Sequence, residues 1–190
     1  MKKKSVIRVV IAALVYLALY PLGSACGLIH PACYAYVGTF LPLLFSFVYL
    51  YTSANMRCFG ASAVLNGFVL ILGLIAGEGN LPLAVGMILL AALAEVIRKL
   101  NGYDTLKGVR RSFLPFAFSF YTYSAHWWTD TEGSLAAAVK EMPAGYADKM
   151  EVVIGNIPLL VVMFVLTVPL AILGMRLAEK ALKKQTALLK

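Results

Sequence analysis

Long apolar runs alternate with short polar breaks along the whole chain. A helix needs roughly 20 apolar residues to cross a hydrocarbon layer of ~30 Å. The runs therefore predict six membrane-spanning helices, at about residues 5–22, 33–52, 59–77, 81–100, 109–128 and 153–178. Asn80 and Pro82 are typical of the cap and first turn of the fourth helix, and Asn101 with Gly102 of its end. We expect an all-α integral membrane protein, a six-helix bundle forming a single membrane domain over residues 1–190.

Composition supports the membrane class. The 190 residues are 61% hydrophobic, whereas a soluble domain of this length is nearer half apolar. The net charge of +8 would favour nucleic-acid binding in a soluble protein. Here it follows from membrane topology instead, so no nucleic-acid partner is predicted.

Lysine and arginine predict the orientation of the bundle, because they concentrate on the cytoplasmic side of membrane proteins. If the N-terminus is inside, only Lys140 and Lys149 of the 17 lysines and arginines lie outside. Six of the nine acids lie outside under the same assignment. We therefore expect both termini to be cytoplasmic, with outer loops at 23–32, 77–80 and 129–151.

The stretch from Phe118 to Met150 is the centre of the functional prediction. An apolar run meets an aromatic boundary and then turns acidic over TDTEG. Tryptophan and tyrosine collect where apolar rings and polar tips meet water. We expect residues 129–151 to roof an outward-facing pocket, with a short interfacial helix at 134–140 that Pro143 and Gly145 stop.

Polar and aromatic residues at this end supply the candidate ligand contacts. His30 and His126 could ligate a metal or a haem iron, or could be interfacial residues with hydrated tips. The i,i+2 spacing of the tyrosine pairs allows only one of each pair to face a ligand. Asparagine side chains within the predicted spans could bind a ligand or form hydrogen bonds between helices. The candidates are His30, Tyr34, Tyr36, Asn66, Glu78, Asn80, Tyr121, Tyr123, His126, Trp127, Trp128, Tyr146 and Asn156.

The other polar residues are better explained by structural roles than by catalysis or ligand binding. Glu95 precedes Arg98 and Lys99 by one helical turn, which predicts a local ion pair near the inner interface. Cys26 and Cys33 could form a disulfide in an outer loop or remain free thiols. Motifs such as HExxH, GxSxG and Walker A are absent. We expect no catalytic site, no resident metal and no covalent cofactor, and any use of ATP would belong to partner subunits.

Three segments carry a resemblance to a known family: LLAALAEVIRKLNGYDTLKG at 89–108, GYADKM at 145–150 and LGMRL at 173–177 followed by two lysines. With its size and predicted spans, the chain resembles the substrate-binding S component of an energy-coupling factor (ECF) transporter, in the MptD or Trep_Strep family. The resemblance implies an importer in a bacterial or archaeal plasma membrane, working with a transmembrane T component and two cytoplasmic ATPases. It also implies a docking face of small residues on the first helix. Ala12, Ala13 and Tyr16 occupy that face here, and Tyr16 departs from the small-residue pattern.

The leading functional hypothesis is capture of a vitamin-like or metal-chelate molecule at the outer face, and haem is the first guess. A lipid-modifying membrane enzyme that uses outer acids such as Glu78 or Asp130 is one alternative. A non-catalytic assembly subunit is another.

Overall fold

The computed structural model describes residues 3–77 and 79–189, apart from the side chains of Leu22 and Ser24. These residues form α-helices and short 3₁₀ turns, and no strand occurs among them. The helices are α1 Lys3–Ala25, α2 Pro31–Asn55, α3 Ala61–Ile75, α4 Leu81–Asn101, α5 Leu106–Phe118, α6 His126–Thr129, α7 Thr131–Glu141, α8 Tyr146–Gly155, α9 Ile157–Ala181 and α10 Lys183–Thr186. The 3₁₀ turns are Cys26–Leu28 and Ser119–Tyr121. The all-helical prediction is confirmed for the part of the chain that the structure describes.

Four helices are long and apolar enough to span a membrane: α1, α2, α4 and α9. Large apolar side chains on their outer surfaces are exposed, including Ile11, Ile88, Val161 and Val165. A surface this apolar is compatible with lipid and not with water. The third predicted span is the 15-residue α3, which at 1.5 Å per residue covers ~22 Å. Helix α3 is therefore shorter than the bilayer core that it was predicted to cross.

The fifth predicted span is not one continuous helix. After α5 the chain passes through the turn Ser119–Tyr121 and further turns before α6. Ser119 Oγ donates a hydrogen bond to Phe116 O at 2.7 Å, and Thr122 Oγ1 donates one to Ser119 O at 2.7 Å. Such side-chain bonds to nearby carbonyls compete with the regular helical ladder. The break at 119–125 directs the aromatic residues that follow it back towards the bundle.

The last predicted span, 153–178, is divided at Asn156. The Asn156 side chain accepts a hydrogen bond from Leu159 N at 3.1 Å and so caps α9, with Pro158 in the first turn. Residues before Asn156 form the separate helix α8. The interfacial helix predicted at 134–140 is present as the longer α7, whose cap is Asp130. Helix α8 is an additional element that the sequence pattern did not predict.

Helix α2 lies at the centre of the bundle and packs against both α1 and α9. The core between the helices is rich in aromatic rings. Tyr16 meets Phe45 edge to face at 4.8 Å between ring centroids, and Tyr49 lies 4.6 Å from Phe116. Gly174 of α9 is buried against the backbone of α2 at Pro42 and Leu43. The small residue lets these two long helices approach closely.

A buried polar cluster joins the helix ends on the side of the chain termini, called here the terminal end. Glu95 accepts hydrogen bonds from Ser62 N at 2.8 Å and Ser62 Oγ at 2.6 Å, so it caps the start of α3. Arg98 donates to the carbonyls of Ser53, Met56 and Tyr103. The predicted ion pair of Glu95 with Arg98 or Lys99 is absent from the described residues. Glu95 instead bonds the start of α3, and Arg98 bonds carbonyls at the end of α2 and in the connections after α2 and α4.

Candidate functional site

A cavity of about 360 Å³ opens at the opposite end of the bundle, called here the loop end. It lies where the start of α2, the α5–α6 connection, α7 and α8 meet. Ligand pockets usually measure roughly 300–1,000 Å³, so this loop-end cavity suits a small molecule. The lining residues are Tyr34, Asn80, Tyr123, His126, Trp127, Asp130, Gly133, Ser134, Ala137, Ala138, Glu141, Met142, Tyr146 and Met150.

Stacked aromatic rings form one wall of the cavity. Tyr34 and Trp127 are nearly parallel, with ring centroids 4.7 Å apart and 18° between their planes. The ring centroid of Tyr123 lies 4.9 Å from that of Tyr34. The break after α5 is what brings Tyr123 and Trp127 against the first turn of α2. A wall of this kind provides large, rigid contact area for a flat or apolar ligand.

Helix α7 provides the polar wall. Asp130, Ser134, Ala137 and Glu141 recur at helical spacing and share the face that lines the cavity. Asp130 accepts a hydrogen bond from Gly133 N at 3.1 Å, and Ser134 Oγ donates one to His126 O at 3.2 Å. The first bond caps α7, and the second holds α7 against the short helix α6.

The charged residues of the lining are acidic. Asp130 and Glu141 contribute carboxylates, and none of the described lining residues is lysine or arginine. Lys140 of α7 and Lys149 of α8 are exposed and are not lining residues. A cavity walled by acids and rings attracts neutral or cationic molecules more than anions.

Tyr146 and Met150 are buried residues of the cavity lining. The buried Tyr146 hydroxyl donates a hydrogen bond to Gly27 O at 2.9 Å. Burial raises the pKa of Tyr146 above its usual value, and the nearby thiols of Cys26 and Cys33 act in the same direction. The phenol therefore remains protonated and keeps donating over the physiological pH range. Cys26 and Cys33 are both free thiols.

Six predicted ligand residues line the cavity: Tyr34, Asn80, Tyr123, His126, Trp127 and Tyr146. Asn80 also caps α4, accepting a hydrogen bond from Leu83 N at 2.8 Å, as its position predicted. His126 Nδ1 lies 2.9 Å from Tyr123 O. These residues come from segments far apart in sequence and meet only in the folded chain.

The other predicted tyrosines and Trp128 lie outside the lining and join helices. Tyr36 donates to Val153 O at 3.4 Å, and Trp128 Nε1 donates to Ile154 O at 3.2 Å. Tyr121 hydrogen-bonds Thr39 and stacks on Phe164 at 4.1 Å. One member of each tyrosine pair thus faces the cavity and the other packs in the bundle.

The remaining candidates are spread over the molecule. Asn66 is buried between helices, where it donates to Met87 O at 3.2 Å and accepts from Ser119 Oγ at 3.3 Å. Asn156 is the exposed cap of α9. His30 caps α2, accepting from Ala32 N at 3.1 Å, and is not a lining residue. Glu78 lies outside the described residues.

The predicted docking residues on α1 lie inside the bundle. Ala12, Ala13 and Tyr16 are buried, and Tyr16 contacts the aromatic core. The exposed side of α1 presents Ile7, Ile11 and other large apolar residues instead. In the structure, the small-residue face of α1 packs within the protein and not on its outer surface.

The sequence prediction of ligand contacts missed eight lining residues: Asp130, Gly133, Ser134, Ala137, Ala138, Glu141, Met142 and Met150. Residues 130, 134, 137, 138 and 141 follow helical spacing, which could have indicated one functional face of α7. No comparable signal marks the two methionines. Among the described residues, no group of three or more His, Cys, Asp or Glu side chains could hold a metal ion.

The apolar helices define a multi-pass integral membrane protein, with a cavity at its loop end. The chain belongs to the Trep_Strep family, described as hypothetical bacterial integral membrane proteins, which matches residues 3–187. Comparisons with curated proteins and with solved structures returned no significant match.

Proposed function

We propose that this protein captures a small molecule in the loop-end cavity and delivers it for import without changing it chemically. The observation that carries the proposal is the convergence of aromatic rings and polar groups from α2, α6, α7 and α8 on one compartment. A ring-lined cavity supports capture of a flat molecule, because stacked rings and buried apolar area favour its binding.

The proposed topology has six membrane crossings, with α3 and the α5–α6 segment as short or broken ones. Broken helices are tolerated at membrane depth where neighbouring helices satisfy the freed backbone groups. Among the described lysines and arginines, only Lys140 and Lys149 belong to the loop-end segments. The positive-inside rule then assigns the terminal end, with both chain termini, to the cytoplasm. The loop-end cavity would face outwards, as capture requires.

We assign the protein the role of an S component of an ECF-type importer. Small size, multiple apolar helices and an end-on cavity without a nucleotide-binding motif support this role. The proposed partners are a transmembrane T component and two ATPases that supply the energy. Co-purification with a candidate T–ATPase module tests this assignment. Failure to associate with or without ligand would remove it.

For the ligand, the lining favours a flat molecule that is neutral or positively charged. A haem is the metal-chelate candidate because His126 lines the cavity beside a tyrosine–tryptophan stack. Its flat ring suits the stack, whereas its two propionates are opposed by the acidic lining. His30 is not part of the lining, so the cavity offers one histidine and not two. Haemin addition should then produce a Soret shift that His126→Ala removes and His30→Ala retains. Loss of the shift in His30→Ala alone would contradict this arrangement.

Trp127 and Trp128 are the two tryptophans of the chain, which makes intrinsic fluorescence a direct binding assay. The Trp128→Phe variant reports on Trp127 in the cavity wall alone. We expect titration with a panel of vitamins, heteroaromatic amines and haemin to identify a compound that quenches this signal. Mass spectrometry of molecules that co-purify with the protein extends the panel.

A matched pair of variants tests whether binding occurs in the cavity. Tyr34→Leu removes the ring stacked on Trp127 and should weaken binding about tenfold, equivalent to ~1.4 kcal/mol. Tyr51→Leu changes a half-buried tyrosine near the terminal end and should leave the affinity unchanged. Equal losses in the two variants, or no ligand in either assay, would overturn the proposed capture site.

A further inference from the structure

A second cavity, of about 380 Å³, lies between α5 and α9 near the terminal end. Its sides come from one face of each helix, at positions 110, 111, 113 and 114 of α5 and 171, 172, 175, 176 and 179 of α9. Phe113, Leu114, Ala171, Ile172 and Met175 form the apolar part of this groove. Arg110, Arg111, Arg176 and Glu179 form its polar part. The groove is thus apolar along its length and charged at one end.

The arginines are arranged to receive an anion. Arg110 forms a bidentate pair with Glu179, through Nε at 2.6 Å and Nη2 at 2.5 Å, which orients its guanidinium. Arg111 Nη1 donates to Asn101 Oδ1 at 2.8 Å. Arg176 is exposed and makes no hydrogen bond or ion pair with any residue that the structure describes. Three arginines against one glutamate leave an excess of two positive charges at this end of the groove.

The position of the charges along the helices matches a membrane interface. Arg110 and Arg111 follow the start of α5 by one turn, and Arg176 precedes the end of α9 by about as much. The apolar lining continues from them towards the middle of both helices. A phospholipid has the same order of parts, with a phosphate at the interface and acyl chains deeper in the bilayer.

We propose that the groove between α5 and α9 is a binding site for an anionic phospholipid. The phosphate would contact Arg176 and Arg111, and an acyl chain would lie along Phe113, Ile172 and Met175. Charge complementarity selects an anionic headgroup over a zwitterionic one, since basic pockets between membrane helices bind such headgroups. This site is separate from the loop-end cavity and does not depend on the ligand captured there.

The test uses the full chain in neutral detergent, titrated with phosphatidylglycerol or with phosphatidylcholine of identical acyl chains and followed by native mass spectrometry. We expect phosphatidylglycerol to bind more tightly. Arg111→Gln and Arg176→Gln should each weaken its binding about fivefold, the effect expected of one basic residue near a membrane surface. The same two variants should change phosphatidylcholine binding little.

The charge-matched control is Lys99→Gln, which removes one positive charge from an exposed residue near the terminal end and outside the groove. This control should retain phosphatidylglycerol binding. That result would show that binding depends on the groove arginines and not on surface charge in general. Equal binding of the two lipids, or an equal loss in the control, would overturn the proposal. Full displacement of the lipid by glycerol phosphate would also overturn it, because the groove would then bind a free anion and not a lipid.

Discussion

At the scale of single residues, Tyr146 connects α8 to the turn Cys26–Leu28 between α1 and α2. Its hydroxyl is the buried donor to Gly27 O. Tyr146→Phe keeps the ring and leaves this carbonyl without its partner, so we expect the free energy of unfolding to fall by about 1 kcal/mol. The midpoint of thermal unfolding in detergent measures the change. Tyr51→Phe is the control, because the half-buried Tyr51 hydroxyl makes no hydrogen bond within the described chain. Equal shifts in the two variants would contradict the role given to Tyr146.

Glu95 and Arg98 show how residue spacing alone can mislead. They lie one turn apart on α4, where a local ion pair is the natural prediction. In the folded protein both are buried, and their hydrogen bonds go to the first turn of α3 and to the end of α2. A buried side chain bonds wherever unpaired backbone groups are nearest, and here those groups lie outside α4.

At the scale of elements, the contact of α2 with α9 depends on one glycine. A Cβ at Gly174 would lie 2.6 Å from Pro42 O and 2.9 Å from Leu43 Cα, which are backbone atoms that cannot move aside. We expect Gly174→Ala to destabilise the protein by about 1–3 kcal/mol through this overpacking. A lower midpoint of thermal unfolding in detergent would show it.

Gly67→Ala is the matched control for the change at Gly174. Gly67 is also helical, and a Cβ there would meet no atom within 4 Å. Its replacement should be neutral or stabilising by about 0.5–1 kcal/mol, because alanine favours the helix. Destabilisation at Gly67 as large as that at Gly174 would contradict the packing explanation, because no atom crowds a Cβ at Gly67.

For the whole molecule, the distribution of charge between the two ends predicts the orientation in the membrane. Native cysteines mark both ends, with Cys33 in the first turn of α2 and Cys58 between α2 and α3, and both are exposed. A membrane-impermeant maleimide applied to intact cells should label Cys33 and spare Cys58. The variants Cys26→Ser/Cys58→Ser and Cys26→Ser/Cys33→Ser isolate each thiol. Permeabilised cells should label both.

The reverse labelling pattern would place the cavity on the cytoplasmic side. Capture from outside would then be excluded, whereas the proposed lipid site would survive, because it depends on the groove between α5 and α9 alone. Labelling therefore distinguishes failure of the proposed function from failure of the second inference.

The sequence by itself determined the membrane class, the boundaries of the long helices α1, α2 and α4 to within a few residues, and the loop end as the aromatic and acidic one. These features follow from local composition, because hydropathy and capping act within one or two turns. The cap at Asn80 and the end at Gly102 were predictable for the same reason.

Only the tertiary structure decided which polar and aromatic residues meet. Tyr34 and Trp127 are 93 positions apart in the chain, and their stacking depends on how the break after α5 packs against α2. Neighbouring helices also decide the burial of Ala12, Ala13 and Tyr16. They likewise place His30 outside the cavity that His126 lines. Periodicity assigns a residue to a face of its own helix, whereas the partner of that face is chosen by packing over the whole molecule.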